Sequence, residues 1–348
     1  MHALRGKSRW LNTVAIMAAV TLVFSACARR NPVAQREGAV EGEQNARQSG
    51  LVVTTVAPIT SIVKAVAGDD LQVKGIKGIL PEGEDSHTFE QRAAEVAQDF
   101  AAADLIIFNG LALETPAIEM AKKTKRPNVK VLLLAEETIT PDAYVFDFSF
   151  PREKGDPNPH LWLNPMYAAR YAEIVANNLA EIFPDKKSNF LSRYQAYREL
   201  LNQLDEAIFE SLATVPPQNR KLLTYHDSFA YFAPRYGFQV IGAIQPSDFS
   251  EPSAAEVAAI IEQIKRERVP AIFGSEVFPS PVMEKIAKET GAMYVTDLSD
   301  DTLPGDPRSP EHNYVGMMVR DVEIITSSLG GDPSPLRRID VSKGGRWD

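Results

Sequence analysis

The sequence predicts an α/β fold: two lobes, each with a mainly parallel sheet, joined by one long rigid helix. Short β-branched runs alternate with helically spaced segments over residues 51–134, an order that demands crossover connections and parallel pairing. The same alternation returns over residues 221–328 without any sequence repeat between the halves. Between them lies an uninterrupted amphipathic stretch free of Gly and Pro. A length of 348 residues suits two domains, each large enough to bury a core.

The chain opens with Arg5, Lys7 and Arg9, then an apolar run over residues 10–24 broken only by Asn12, Thr13 and Thr21. A basic flank before a short apolar segment is the layout of a secretory signal. The run falls short of the roughly 20 apolar residues that cross a bilayer. The single cysteine follows directly, in Phe24-Ser25-Ala26-Cys27. This resembles a bacterial lipoprotein lipobox, with Phe24 standing where leucine is more usual. A lone thiol in an oxidising compartment is otherwise a liability. The expectation is therefore a leader of residues 1–26 and an exported chain held to the bacterial membrane, on its periplasmic or cell-surface face, by lipid on Cys27. Residues 27–49 are rich in Gln, Glu, Arg, Gly and Ala and cannot bury enough surface to order themselves, so they read as a tether.

The first lobe is expected over residues 50–185. Residues 51–56 form a β-branched run of the kind that buries both faces. Residues 59–67 read as helix, 71–76 as strand, 90–102 as helix, 103–108 as strand, 116–123 as helix and 129–134 as strand. The linking helix, residues 186–213, places Phe190, Tyr194, Tyr197, Leu200, Leu201, Leu204, Ile208 and Leu212 at steps of three, four and one. Pro184 before it and Pro216-Pro217 after it mark its ends. It would be ~40 Å long at 1.5 Å per residue, long enough to couple both lobes. In the second lobe, residues 214–331, strands are expected at 221–224, 239–243, 271–273 and 292–295. Helices are expected there at 253–266, 281–290 and 314–328, and residues 332–348 form a C-terminal tail.

Composition excludes several functions. A net charge of −9 argues against a nucleic-acid binder, which needs a basic face. One cysteine leaves no disulfide framework and no CxxC zinc or redox site.

The chain has five histidines, and their placement is informative. His2 falls in the leader. His87 stands in Gly83-Glu-Asp-Ser-His87-Thr-Phe-Glu90, after the second strand. His160 stands in Asp156-Pro-Asn-Pro-His160-Leu-Trp162-Leu-Asn164-Pro165, immediately before a helix, and His226 ends a strand in Leu222-Leu-Thr-Tyr-His226-Asp227. Loops beyond the carboxyl ends of α/β strands line the ligand crevice, so these three can converge there. Any one histidine is more often a hydrogen-bonded polar group than a ligand. Each of these, however, sits at a strand–loop–helix junction beside an acidic or amide residue. Neutral imidazoles suit zinc, and a carboxylate can complete a tetrahedron with bonds of about 2.0–2.2 Å.

Four stretches resemble the metal-binding solute-binding proteins of zinc and manganese ABC transporters, the cluster A-I family. Asp85-Ser-His87-Thr-Phe89-Glu90 is similar to that family's D-P-H-x-Y-E loop. Asn158-Pro-His160-Leu-Trp162-Leu-Asn164-Pro165 is similar to its D-P-H-x-W-L-D-P stretch. His226-Asp-Ser-Phe229-Ala-Tyr231, running on to Tyr236-Gly237, is similar to its H-x-A-F-x-Y…Y-G segment. Thr296-Asp297-Leu298 with Leu303-Pro-Gly305 and Tyr314-Val-Gly-Met-Met318 is similar to its closing acidic loop and helix.

The resemblance implies a metal site in the cleft between lobes, two ligands from each: His87 and His160 from the first, His226 and an acidic residue from the second. Asp297 is the expected acid. The spacing around Leu298 also fits a ligand at Thr296, Glu276 is the reserve, and water is a further option. It also implies an ABC permease with its ATPase as partners, and a monomer is expected. Three nitrogens and one oxygen favour Zn²⁺ over Mn²⁺ as the transported ion. Many zinc members carry a His-rich loop before the second ligand, whereas residues 140–159 hold no histidine, so Mn²⁺ stays open. Asp85, Asn164 and Asp227 are either partners that orient the imidazoles or turn and cap residues. Trp162, Phe229 and Tyr231 read as packing, and His312 as a residue leading into a helix. Gln245 to Ser247 and Glu251 to Ser253 read as loop and capping elements.

Two other readings stand beside uptake. An exported zinc hydrolase needs an open metal position and a general base, yet the chain has neither HExxH nor G-x-S-x-G. A surface adhesin cannot be separated from uptake on sequence. The expectation is a binding protein and not an enzyme.

Overall fold

Strand β1 (Val52–Thr54) is wholly buried, as its β-branched run requires. It enters α1 (Ala57–Ala67), opened by Pro58 and closed at Gly68, whose left-handed φ of 56° lets its N–H reach the Lys64 carbonyl. The computed structural model describes residues 50–70, 75–82, 93–245, 250–275 and 280–345, apart from the side chains of Ala93 and Asp297. The expected leader, the tether, Cys27, His87, Asp85 and Glu276 lie outside the described residues, as do residues 71–74 of the second expected strand. β2 (Ile76–Gly78) begins where that strand was expected to end. It is a half-buried edge strand, and an edge carrying Lys77 and Gly78 gives only a weak apolar pattern.

The remaining elements of this half are α2 (Ala93–Ala102), β3 (Leu105–Phe108), α3 (Thr115–Thr124) and β4 (Lys130–Leu133). All pairings are parallel, in the order β2-β1-β3-β4. The second half repeats this order as β6-β5-β7-β8, again parallel, with β5 (Lys221–Thr224), β6 (Gln239–Ala243), β7 (Ala271–Ser275) and β8 (Met293–Leu298). In both sheets the first strand lies between the second and third. The connections therefore reverse direction beside β1 and β5, the place at which open α/β sheets bind their ligands.

Two long helices separate the sheets. The first, α4 (Pro165–Ile182), is capped by Asn164, whose side chain accepts from Met166 N at 3.0 Å. A 3₁₀ turn (Pro184–Lys186) then leads into α5 (Lys187–Ala213), which buries all eight residues of the expected apolar stripe. α5 packs on α1 and α4 of the first lobe. Asp70 pairs with Arg193, Lys186 and Asn189 at one end of α5; at the other, Asp205 receives Arg235 Nε at 2.6 Å and Tyr236 Oη at 2.6 Å.

The second lobe continues with α6 (Ala254–Glu267), α7 (Pro281–Thr290) and α8 (Tyr314–Ser328). Ser253 and Glu256 form a reciprocal capping box at the start of α6, as expected of that stretch. α8 follows the last strand yet packs on α5 and also on α1. The sheets therefore share a large apolar core, while a smaller core under α6 and α7 is confined to the outer face of the second sheet. The described part of the C-terminal segment also packs on α5, through 3₁₀ turns at Ser334–Arg338 and Val341–Gly344, with Leu336 and Ile339 buried. The described residues all belong to one compact unit, Gln48–Asp348.

Candidate metal centre

His226 follows β5 by two residues, at the carboxyl end where the connections reverse. His160 comes from the segment that leads into α4, held by the 3₁₀ turn Leu161–Leu163. The two imidazoles, from different halves of the chain, meet with ring centroids 4.6 Å apart and planes at 86°. Asp301, in the loop after β8, completes a cluster whose ligating atoms all lie within 4.8 Å of one another. All three residues are buried.

The hydrogen bonds assign the tautomers. Asn158 Nδ2 donates to the Asp227 carbonyl at 2.7 Å, which orients its amide and turns Oδ1 toward His160. Oδ1 accepts from His160 N at 3.1 Å and stands 2.8 Å from Nδ1. An amide oxygen only accepts, so His160 Nδ1 carries the hydrogen and Nε2 the lone pair. The same logic holds for His226, whose Nδ1 lies 2.7 Å from Asp300 Oδ2. Asp300 is itself fixed by Ser228 Oγ at 2.9 Å, Ser275 Oγ at 3.1 Å and Asp301 N at 3.2 Å. Burial alone would raise the Asp300 carboxyl, but the charge of His226 when it is protonated, and the hydrogen bonds from His226, Ser228 and Ser275, hold it below the usual carboxylate range. An anionic partner on Nδ1 makes Nε2 a better donor to a cation.

Further contacts hold the frame. Trp162 Nε1 donates to the Asp300 carbonyl at 2.9 Å, joining the His160 segment to the acidic loop. Asn109, just past β3, donates to the Pro159 carbonyl at 2.8 Å and accepts from Tyr171 Oη at 2.7 Å. The turn after Asn109 is strained, with Leu111 and Ala112 at φ of 48° and 67°. Buried Glu114 stabilises it by accepting from Asn109 N and Gly110 N at 3.0 and 3.1 Å. Burial pushes the Glu114 carboxyl up to about 7. The segment before His160 also reaches the second lobe: Ser149 N donates to Asp227 Oδ2 at 2.8 Å and Ser149 Oγ to the Gln245 carbonyl at 2.7 Å. Burial, then the adjacent Asp227 charge, pushes Asp147 up to about 8.

Of the expected ligands, His160 and His226 are brought together. His87 and Glu276 lie outside the described residues; the Asp297 backbone lies inside β8 while its side chain is not described. Thr296 is exposed on the same strand. Asp301 was not anticipated, although the signal was present. The last strand was expected to end at residue 295, whereas it runs to Leu298 and pairs there with Ser275. The first carboxylates beyond the strand end are therefore Asp300 and Asp301. Asn158 and Asp300 are the residues that orient the rings, also unanticipated. Asn164 is a helix cap, and Asp227 holds Ser149. Trp162, Phe229 and Tyr231 are buried as expected of packing residues, and His312 directly precedes the α8 cap Asn313.

The arrangement offers two imidazole nitrogens and a carboxylate to one small cation, a donor set suited to a borderline-soft divalent metal. Comparison with known proteins agrees in kind. Residues 52–328 match the family model of ZnuA, the periplasmic zinc-uptake complex component A. The zinc-binding protein TroA of Treponema pallidum is 31% identical over 294 residues, covering 83% of this chain and 92% of TroA. Its structure superposes with a TM-score of 0.71 over 80% of this chain and 98% of that one. The manganese-binding lipoprotein MntA of Halalkalibacterium halodurans is 25% identical over 80% of this chain and 88% of its own length. The iron-binding protein YfeA of Yersinia pestis is 27% identical over 80% and 86% respectively.

Proposed function

The chain belongs to the family of the periplasmic zinc-uptake complex component A, and from that premise we propose that it is the extracytoplasmic binding component of an ABC transporter. It captures one divalent transition metal, Zn²⁺ in preference, and delivers it to a permease driven by its ATPase. The observation that carries this reading is the meeting of His160 and His226 from the two halves, each with Nδ1 against an acceptor, beside Asp301. In this reading His87 is the remaining ligand, and Asp301, rather than Asp297 or Glu276, is the acid. A four-donor protein set fills the metal's coordination and leaves no open position for a hydrolytic water, so the protein binds and releases and does not catalyse. Lipid on Cys27 holds a monomer at the outer face of the membrane.

Nitrogen-rich ligation favours zinc, while a relative named for manganese keeps Mn²⁺ as the second reading. Titration of the full-length chain with each ion, alone and in competition, separates them. One equivalent of Zn²⁺ should bind and resist displacement by equimolar Mn²⁺, and His226→Ala should weaken zinc binding severely. Affinity unchanged in His226→Ala would remove the site.

A further inference from the structure

His312 is buried at the foot of α8 and takes no part in the metal cluster. Its Nδ1 lies 3.1 Å from the Pro304 carbonyl, which only accepts, so Nδ1 carries a hydrogen. Its Nε2 lies 3.1 Å from Oε1 of Glu82, a residue of the first lobe just beyond β2. Two lone pairs would repel at that distance, so a proton lies between them and the two side chains are hydrogen-bonded. Lys64 on α1 faces Glu82, and Asp306 faces His312 from its own loop.

The contact joins positions 230 residues apart. It bears on the loop between β8 and α8, which carries Asp300 and Asp301. Trp162 fastens the start of that loop through the Asp300 carbonyl. At its end, Tyr314 N donates to Ser61 Oγ of α1 at 2.9 Å. His312 ties the middle of the loop, at Pro304, to the first lobe.

We propose that Glu82 and His312 form a clasp that holds the Asp301 loop of the second lobe against the first, fixing Asp301 relative to His160. They are positioning residues for the metal site and not ligands. The inference rests on the metal-binding reading above.

The test uses the full-length chain with Zn²⁺ alone, measuring affinity by chelator competition and release into excess chelator. Glu82→Ala should raise the zinc Kd about ten-fold, the effect of losing one hydrogen bond, and speed release in similar ratio. Glu82→Gln, whose amide can donate to Nε2, should recover most of the loss. His312→Ala should match Glu82→Ala, and the double variant should be no weaker than either single one. A role in fold stability alone would lower the apo melting midpoint, leave the zinc Kd within two-fold and give Gln no advantage over Ala; that result overturns the clasp. Additive losses in the double variant overturn it too. Wild-type protein that binds no zinc refutes the metal site, and the clasp falls with it. Wild-type binding matched by Glu82→Ala refutes the clasp alone.

Discussion

Asp300→Asn tests how far the metal site depends on the carboxylate behind His226. Asp300 accepts on both oxygens: Oδ2 from His226 Nδ1 at 2.7 Å and Ser228 Oγ at 2.9 Å, Oδ1 from Ser275 Oγ at 3.1 Å and Asp301 N at 3.2 Å. Asparagine keeps one acceptor oxygen and must turn an NH₂ toward one of these pairs. If the NH₂ faces His226, it opposes the Nδ1 hydrogen and favours the tautomer whose Nε2 carries the proton, which cannot bind a metal. If it faces Asp301 N, two donors collide and the carboxylate ligand beside it is displaced. Either orientation damages the site, and the imidazole loses its anionic partner in both. Changes behind a ligand of this kind cost roughly 10–100-fold in metal affinity, about 1.4–2.7 kcal/mol. Chelator competition for zinc at pH 7 measures this, with circular dichroism establishing that the fold is retained. A folded variant with a zinc Kd within two-fold of wild type would refute the assignment of Asp300 as the group that orients His226.

Glu114 predicts a pH signature in stability. Its carboxyl is raised by burial to about 7, so the protonated form is favoured in the fold. That stability is complete below the ordinary carboxylate range and is lost as pH rises through about 7, by at most about 3 kcal/mol. Urea midpoints of wild type should fall between pH 5 and 8, and the gap to Glu114→Gln should narrow over that range; a constant gap would contradict it. Leu201→Ala, in the buried stripe of α5, should cost roughly 2–5 kcal/mol in urea unfolding, as buried leucines do. A loss under 1 kcal/mol would mean that α5 does not carry the shared core. Cys27→Ala should move the protein from the membrane pellet to the soluble fraction on cell fractionation, and continued pelleting would count against the lipid anchor.

The second lobe was legible almost residue for residue, because β5, β6, α7 and α8 are bounded by clear turn and cap residues: Arg220 before β5, Gly291 after α7, Asn313 before α8. The long helix was equally readable from its apolar stripe. β2 ends at Gly78 rather than at residue 76 because an edge strand with Lys77 and Gly78 lacks the apolar signature that reveals buried strands. α4 was anticipated only at its start, since its many alanines give a diffuse pattern with no sharp stripe. At the site, histidines stand out because they are scarce, whereas Asp and Glu number 46 and any one of them is a weak signal. Choosing Asp301 required the end of β8, and a shift of three residues in that strand end moves the candidate acid from Asp297 to the Asp300-Asp301 pair. Asn158 could not be singled out because its role depends on the Asp227 carbonyl, 69 positions away, which orients its amide.

The most direct measurement is a crystal structure of the zinc-loaded protein with anomalous diffraction collected at the zinc edge. A single strong peak is expected at about 2.0–2.2 Å from His160 Nε2, His226 Nε2 and an Asp301 carboxylate oxygen. A peak bonded to neither imidazole, or none in the cluster while zinc binds elsewhere, would contradict it.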